Sequence, residues 1–285
     1  MTTNLLYVNG WNTFHFEIGM NNINLGDDLN YLFLPKIMPY KIIPYRNNGK
    51  LIKPSYSDII NYSFIGSVID HFFTNKNTII WGSGIRSDSI NLEKMENPRS
   101  IYAVRGPLTR KKLIENGFDC PEIYGDPALL LPLYYNPKIN KKYKIGIIKH
   151  WQTKADVSRF SSKDIHVISI SNYKKWTKVI DDILSCDNIV SESLHGLIIA
   201  EAYNIPNLWV DIELEKLESS KFKFNDFFQS LGKDRESAYT LTSETTAEQL
   251  FAELSNYKRV FNIDLIKLIN SCPVKIILNK NKHKI

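Results

Sequence analysis

Cysteine is scarce in this sequence, long apolar runs are missing, and the histidines are scattered; each shortage removes a class of protein. Cys120, Cys186 and Cys272 are the three cysteines of a 285-residue chain, and no two lie close together. They support neither a disulfide framework nor a cysteine zinc site, and they fit a reducing compartment. The longest apolar stretches, around residues 129–135 and 197–202, fall well short of the ~20 residues that span a bilayer. No transmembrane helix is therefore expected. The first ten residues, MTTNLLYVNG, lack a basic leader, an apolar core and a small-residue cleavage site, so the expected location is cytoplasmic. His15, His71, His150, His166, His195 and His283 show no ligand-type spacing, and no metal site is expected.

Charge of one sign is also in short supply over most of the chain. The formal net charge is +6, but acids and bases alternate until an excess at Lys275, Lys280, Lys282 and Lys284. Without a basic stripe, no nucleic-acid partner is expected. The basic tail reads as solvated, with peripheral attraction to an anionic membrane surface as the alternative.

What is present is an ordinary globular composition, 43% hydrophobic, in a chain long enough for two cores. Short β-rich runs recur at 5–8, 78–81, 101–104, 144–148, 165–169, 188–190 and 207–210, with helical patterns at 106–116, 173–185 and 194–203. This alternation is βαβ punctuation and predicts an α/β fold with parallel sheets. The run 132–142, with Pro137 and several Lys and Asn residues, is the most linker-like segment. It sets the predicted domains at 1–136 and 143–285, the second ending in a helical and basic tail.

In open α/β sheets ligands sit beyond the carboxyl ends of the strands, so the residues that follow each strand are the candidates. Gly82-Ser83-Gly84 follows the run 78–81 and reads either as a tight turn or as a backbone anion cradle. Arg105 ends the run 101–104 and is followed by Gly106-Pro107, a strand-to-helix junction where a guanidinium and a helix N-terminus suit a carboxylate or phosphate. The competing reading pairs Arg105 with a structural carboxylate such as Asp126. The third junction is Ser191-Glu192-Ser193-Leu194-His195-Gly196. There serines can cap a helix whose first turn carries an imidazole suited to moving protons near neutral pH. A buried or capping histidine is the alternative.

Taken in order, Asn24-Leu-Gly-Asp-Asp-Leu-Asn, Gly82-Ser-Gly, Val104-Arg-Gly-Pro-Leu-Thr-Arg, Gly125-Asp-Pro-Ala-Leu-Leu, Ile145-Gly-Ile-Ile-Lys-His and Ser191-Glu-Ser-Leu-His-Gly-Leu-Ile-Ile-Ala-Glu-Ala-Tyr resemble the polysaccharide pyruvyl transferase family. The segment Lys221-Phe-Lys-Phe-Asn-Asp-Phe-Phe-Gln-Ser-Leu-Gly is similar to a family segment as well. The resemblance implies two Rossmann-like domains facing across a cleft, as in GT-B glycosyltransferases, and transfer of pyruvate from phosphoenolpyruvate onto a sugar as a ketal. Many members carry an Arg two residues before the motif histidine, where this chain has Ser193.

On that reading His195 is the expected general acid/base, and Arg105 holds the donor and stabilises departing phosphate. Gly82, Ser83, Gly84, Lys149, His150, Ser191, Ser193, Leu194 and Lys221 are the further donor-binding candidates, and Asn24 and Asp27 the acceptor-binding ones. Phosphoenolpyruvate enters as co-substrate with no other cofactor expected. The acceptor is expected to be a lipid-linked oligosaccharide or a nucleotide sugar. A nucleotide-sugar-dependent glycosyltransferase of the same architecture, or a non-catalytic sugar- or anion-binding protein, stays open as an alternative.

Overall fold

The structure is a computed structural model and describes residues 4–11, 24–47, 50–150, 152–153, 156–160, 162–212, 221–234 and 237–277. In chain order the first half holds β1 (Leu5–Val8), α1 (Leu25–Leu32), α2 (Leu34–Ile37), β2 (Lys41–Pro44) and the small hairpin of β3 (Arg46–Asn47) and β4 (Lys50–Leu51). It continues through β5 (Asn61–Ser63), β6 (Thr78–Trp81), β7 (Ser100–Ala103), α3 (Pro107–Glu115), a 3₁₀ turn (Pro127–Leu130) and α4 (Leu131–Tyr134). The second half holds β8 (Tyr143–Ile148), β9 (Ile165–Ile168), α5 (Trp176–Leu184), β10 (Cys186–Ser191), α6 (Leu194–Ala202) and β11 (Asn207–Ile212). Then follow α7 (Lys221–Ser230), β12 (Tyr239–Leu241), α8 (Ala247–Ser255) and α9 (Leu265–Asn270).

The fold is α/β, with two five-stranded sheets ordered β2-β1-β5-β6-β7 and β12-β11-β10-β8-β9, and every strand pair within them is parallel. Numbered within its own half, each sheet runs 2-1-3-4-5. This is the doubly wound order whose direction reverses once, and ligands bind where it reverses. The reversal falls between β1 and β5 in the first sheet and between β8 and β10 in the second. Two Rossmann-like units therefore repeat one topology, and each brings one reversal point to the molecule.

Local chemistry explains the strands. All four residues of β6, Thr-Ile-Ile-Trp, are buried, as a strand covered on both faces requires. The edge strand β2 ends in Pro44, where the missing N–H costs no ladder bond. β5, by contrast, is central yet polar. Its Asn61 is fully buried and accepts from Asn9 Nδ2 (2.8 Å) and Thr78 Oγ1 (2.9 Å) through Oδ1, so a side-chain network replaces apolar packing under the sheet. Helix α8 starts at a capping box in which Thr246 and Gln249 each bond the other's backbone N–H, satisfying two orphan donors.

The segment 135–142 carries no regular structure, and the turn before it is helical, as α4. Two later segments return to the first sheet. On α7, Asp226 meets Arg105 and α3. Around α9, Trp81 Nε1 donates to Leu268 O (3.0 Å), Lys267 Nζ to Glu122 O (3.2 Å) and Ile277 N to Ile37 O (2.7 Å). One apolar cluster accordingly contains Leu25, Leu29 and Trp81 together with Ile148, Leu197, Phe224 and Leu268. Of the basic tail, Lys275 is described; Lys280, Lys282 and Lys284 lie outside the described residues.

Candidate active site

His195 is the second residue of α6, directly beyond the reversal point of the second sheet. Its ring lies against the first turn of α1, from the other unit. A methyl group placed on Gly26 would come within 2.0 Å of His195 Nδ1 and 2.4 Å of its Cγ, so the absence of a side chain at 26 is what lets the imidazole in. Nε2 points the other way, 3.9 Å from Asp126 Oδ2, with the His195 side chain 12% exposed and that of Asp126 1%. Burial, and then the Arg105 and Lys223 charges, push the imidazole pKa down to about 3. The ring is neutral unless an anion arrives beside it.

The first turn of α1 carries three of these groups. Asn24 is its N-cap, accepting from Gly26 N (3.3 Å) and donating Nδ2 to Asp27 Oδ2 (2.9 Å). Asp27 lies inside the helix, so Asn24 and not Asp27 does the capping. Burial, followed by repulsion from Asp28, raises Asp27 to about 7. Burial also raises Asp28 to about 7, against a hydrogen bond from Tyr173 Oη. Asp126, raised to about 7 mainly by burial, completes a set of carboxyl groups balanced between acid and anion near neutrality.

Arg105 is wholly buried and its donors are engaged. Nε reaches Asp226 Oδ2 (3.0 Å), Nη1 reaches Ser67 Oγ (2.6 Å) and Nη2 reaches Ile85 O (2.7 Å). Its structural carboxylate is Asp226 rather than Asp126. Asp226 also accepts from Thr109 N (2.8 Å) and Thr109 Oγ1 (2.7 Å), thereby capping α3, whose own N-cap Gly106 has no side chain to offer. The Arg105 charge still acts on His195, Lys223 and Asp126.

The glycine turn after β6 is filled by protein. Added methyl groups would meet Pro127 Cδ at 2.4 Å from Gly82, and Arg105 Cζ at 2.4 Å from Gly84. Ser83 Oγ donates to Gly66 O (2.8 Å). The structure thus gives Gly82, Ser83 and Gly84 packing duties that hold Asp126 and Arg105 in place.

At the second sheet's reversal point, Ser191 Oγ donates to Ser193 O (2.8 Å) and accepts from Ser193 N (3.1 Å). Ser193 occupies the N-cap position but its hydroxyl caps nothing, so the serines shape the turn and leave the helix N–H groups free for a ligand. Leu194 is buried in the core. Between them Glu192, absent from the expected set, is buried. It accepts from His150 N (3.0 Å) and Thr153 Oγ1 (2.6 Å) through Oε2, and from Ile212 N (3.2 Å) through Oε1. One carboxylate thus ties the loops after β8 and β10 to the end of β11. His150, pushed down to about 4 by burial and then by Lys223, stands beside it; Lys149 is half-buried on the same loop, and Lys221 is exposed at the start of α7.

Among the described residues, Lys223 is a cation whose charge acts on both His195 and His150. Burial lowers its ammonium to about 8, and its charge interacts with Arg105, Asp27, Arg86, Glu192, His150 and His195. It lies one turn before Asp226, so the buried Arg105–Asp226 pair fixes the helix that carries it. The site therefore gathers a neutral imidazole, carboxyl groups able to take or give a proton, one lysine, and the N-termini of α1 and α6. That set suits binding a small anion and transferring protons beside it. Among the described residues no group of three His, Cys, Asp or Glu side chains could hold a metal ion, and no helix is long and apolar enough to cross a membrane.

Comparison with known proteins shows the family. The chain is 29% identical over 223 residues to the uncharacterized protein L143 of Acanthamoeba polyphaga mimivirus, covering 76% of this chain and 74% of that one. It is 29% identical over 218 residues to the succinoglycan biosynthesis protein ExoV of Rhizobium meliloti, covering 73% of this chain and 62% of ExoV. The model of the family described as polysaccharide pyruvyl transferase matches residues 24–213, which begin at the Asn24 cap and take in the strand-to-helix junctions at Arg105 and His195. By that match the chain belongs to the polysaccharide pyruvyl transferase family.

Proposed function

We propose that this chain transfers the pyruvyl group of phosphoenolpyruvate to two hydroxyls of one sugar, forming a pyruvate ketal on a polysaccharide unit or its lipid-linked precursor. The observation that carries this reading is the meeting of His195 with Gly26 and Asp126 where the two units join, with the Lys223 charge acting on the same ring. The donor lies in a cleft between the units, in the manner of GT-B enzymes, with its phosphate and carboxylate toward Lys223 and the two helix N-termini. Arg105, buried behind, adds field rather than contact, and His150 with Lys149 borders the phosphate side. No other cofactor enters the scheme.

The balanced reaction begins with protonation of the donor's methylene carbon, which becomes a methyl group and leaves C2 electron-poor. A sugar hydroxyl adds to C2 and loses its proton, inorganic phosphate departs, and the second hydroxyl closes the ketal, losing the other proton. His195, neutral before binding, gains basicity when the donor's negative charge offsets Arg105 and Lys223, and it takes the hydroxyl proton. Asp27, close to half-protonated at neutral pH, faces Lys223 from α1 and positions the acceptor with Asn24. The acceptor reaches the enzyme at the inner face of the membrane, with the protein on the cytoplasmic side.

The test is incubation with phosphoenolpyruvate and a panel of lipid-linked or synthetic galactosyl, glucosyl and mannosyl acceptors, following phosphate release and product mass. Acceptor-dependent phosphate release with a pyruvate-sized mass gain is expected. Failure of phosphoenolpyruvate to react or to raise the melting temperature, with stabilisation by UDP or GDP sugars instead, would overturn the donor assignment.

A further inference from the structure

Two buried polar atoms in the site have no hydrogen-bond partner of ordinary geometry and face each other: His195 Nε2 and Asp126 Oδ2. They are 3.9 Å apart, and the Asp126 carboxyl is further favoured as an anion by the Gly66 backbone N–H. A buried donor or acceptor left unpaired is destabilising, and these two satisfy one another if they approach by about 1 Å to ordinary hydrogen-bond distance. The other carboxylate oxygen is already fixed, since Asp126 Oδ1 accepts from Ala128 N (2.9 Å) at the head of the 3₁₀ turn. That turn packs against α6, the helix that bears His195. Carboxylate and imidazole are thus held by two elements in direct contact.

We propose that Asp126 is the positioning residue for His195: its Oδ2 accepts the Nε2 proton, fixes the imidazole in the Nε2–H tautomer and leaves Nδ1 as the nitrogen that exchanges protons with substrate. Nε2 is buried and faces Asp126, which leaves Nδ1 as the ring nitrogen for a reactant. Gly26 lies under Nδ1, and a side chain there would block it. Neither Asn24 nor Asp27, both on α1, competes for Nε2, because they bond each other. The charged groups acting on the ring are Arg105, which follows β7, and Lys223 from α7; both disfavour imidazolium, so the ring meets Asp126 as a neutral donor. Asp126 ionises at about 7, so this arrangement holds on the alkaline side. Below that value the carboxyl itself becomes a donor and the preferred tautomer reverses.

The kinetic arm of the test rests on the proposed pyruvyl transfer, whereas the spectroscopic arm does not. Long-range ¹H–¹⁵N correlation of His195, in protein labelled at histidine and at a pH about two units above neutrality, should show the Nε2–H tautomer. Asp126→Asn should switch it to Nδ1–H, because the amide donates where the carboxylate accepted. The same variant keeps the Oδ1 bond to Ala128 N, so melting checks that the fold survives. In turnover with phosphoenolpyruvate, Asp126→Asn should lower kcat by ~10²–10⁴ with KM for the donor little changed, the range for loss of a working acid–base group. A Nδ1–H tautomer in the wild type, or one tautomer in both proteins, would overturn the proposal whatever the substrate proves to be. Wild-type kcat in a folded Asp126→Asn protein would do the same. If the wild type fails to use phosphoenolpyruvate at all, the donor assignment falls, and the tautomer measurement still decides the role of Asp126.

Discussion

Replacing Gly26 by Ala tests whether the contact between α1 and His195 is functional. An added Cβ would stand 2.0 Å from Nδ1, 2.4 Å from Cγ and 2.6 Å from Cε1 of His195, so rotating the ring in its plane relieves nothing. Ordinary contact needs ~3.5 Å, and the imidazole must therefore retreat by about 1.5 Å. Misplacing a reacting group by ~1 Å can cost about 10²-fold in rate, so kcat should fall by at least that factor. The same substitution puts Ala in the first turn of α1, where it gains less than the ~1 kcal/mol over Gly of a helix interior; this offsets part of the clash, and melting should fall far less than the rate. Activity and stability should thus part company. In a His195→Ala background the clash vanishes, and adding Gly26→Ala should cost nothing further. Phosphate release and thermal melting of the four proteins complete the cycle. A Gly26→Ala enzyme within about threefold of wild-type kcat would refute the reasoning, since a 1.5 Å retreat of a proton-transfer group cannot leave the rate untouched.

Other outcomes are expected from the same geometry. Asp226→Ala strands the buried Arg105 charge and uncaps α3, and should lower unfolding free energy by about 3–5 kcal/mol in denaturant titration. Lys223→Met should raise KM for phosphoenolpyruvate by roughly tenfold or more with a smaller change in kcat; an unchanged KM would remove Lys223 from the donor site. Asp27 favours its protonated form in the folded state, at about 7 against the usual 3.8. Its contribution to stability is present below the lower value and lost as pH rises through the upper. Asp27→Asn should therefore melt with a smaller decline between acidic and alkaline pH than the parent, and an unchanged or steeper decline would contradict the burial argument.

The sequence was most legible where burial is two-sided. The runs 78–81 and 144–148 are almost wholly apolar and coincide closely with β6 and β8. The central strand β5 escaped because its buried Asn61 and Ser63 pair with Asn9 rather than with apolar neighbours, so no alternation marks it. Helix α1 escaped for a related reason, since Gly26, Asp27 and Asn30 interrupt its apolar face, Asn30 being buried in bonds to Ile65. His195 stood out because a histidine two residues into a strand-following helix is conspicuous. Arg105 was conspicuous too, but its partner Asp226 is 121 positions away, and no local pattern reveals a pairing at that distance. Lys221 drew attention by opening a motif, although the helix phase favours Lys223, three residues before Asp226 and next to the buried Phe224. Glu192 passed as one letter of the histidine motif because backbone N–H partners leave no trace in sequence.

The return of the chain to its first sheet bears on how the protein is made. Trp81 finds its hydrogen-bond acceptor at Leu268, and Ile37 receives the N–H of Ile277. During synthesis the first unit leaves the ribosome long before residues 263–277 exist, with the indole of Trp81 and the groove beside Gly125 uncovered. At ~5–20 residues per second, the roughly 140 residues from the end of the first unit to this segment take about 7–28 s. For that interval the nascent chain carries an unfinished apolar surface, which makes the first half a natural client for chaperones and a poor candidate for expression on its own.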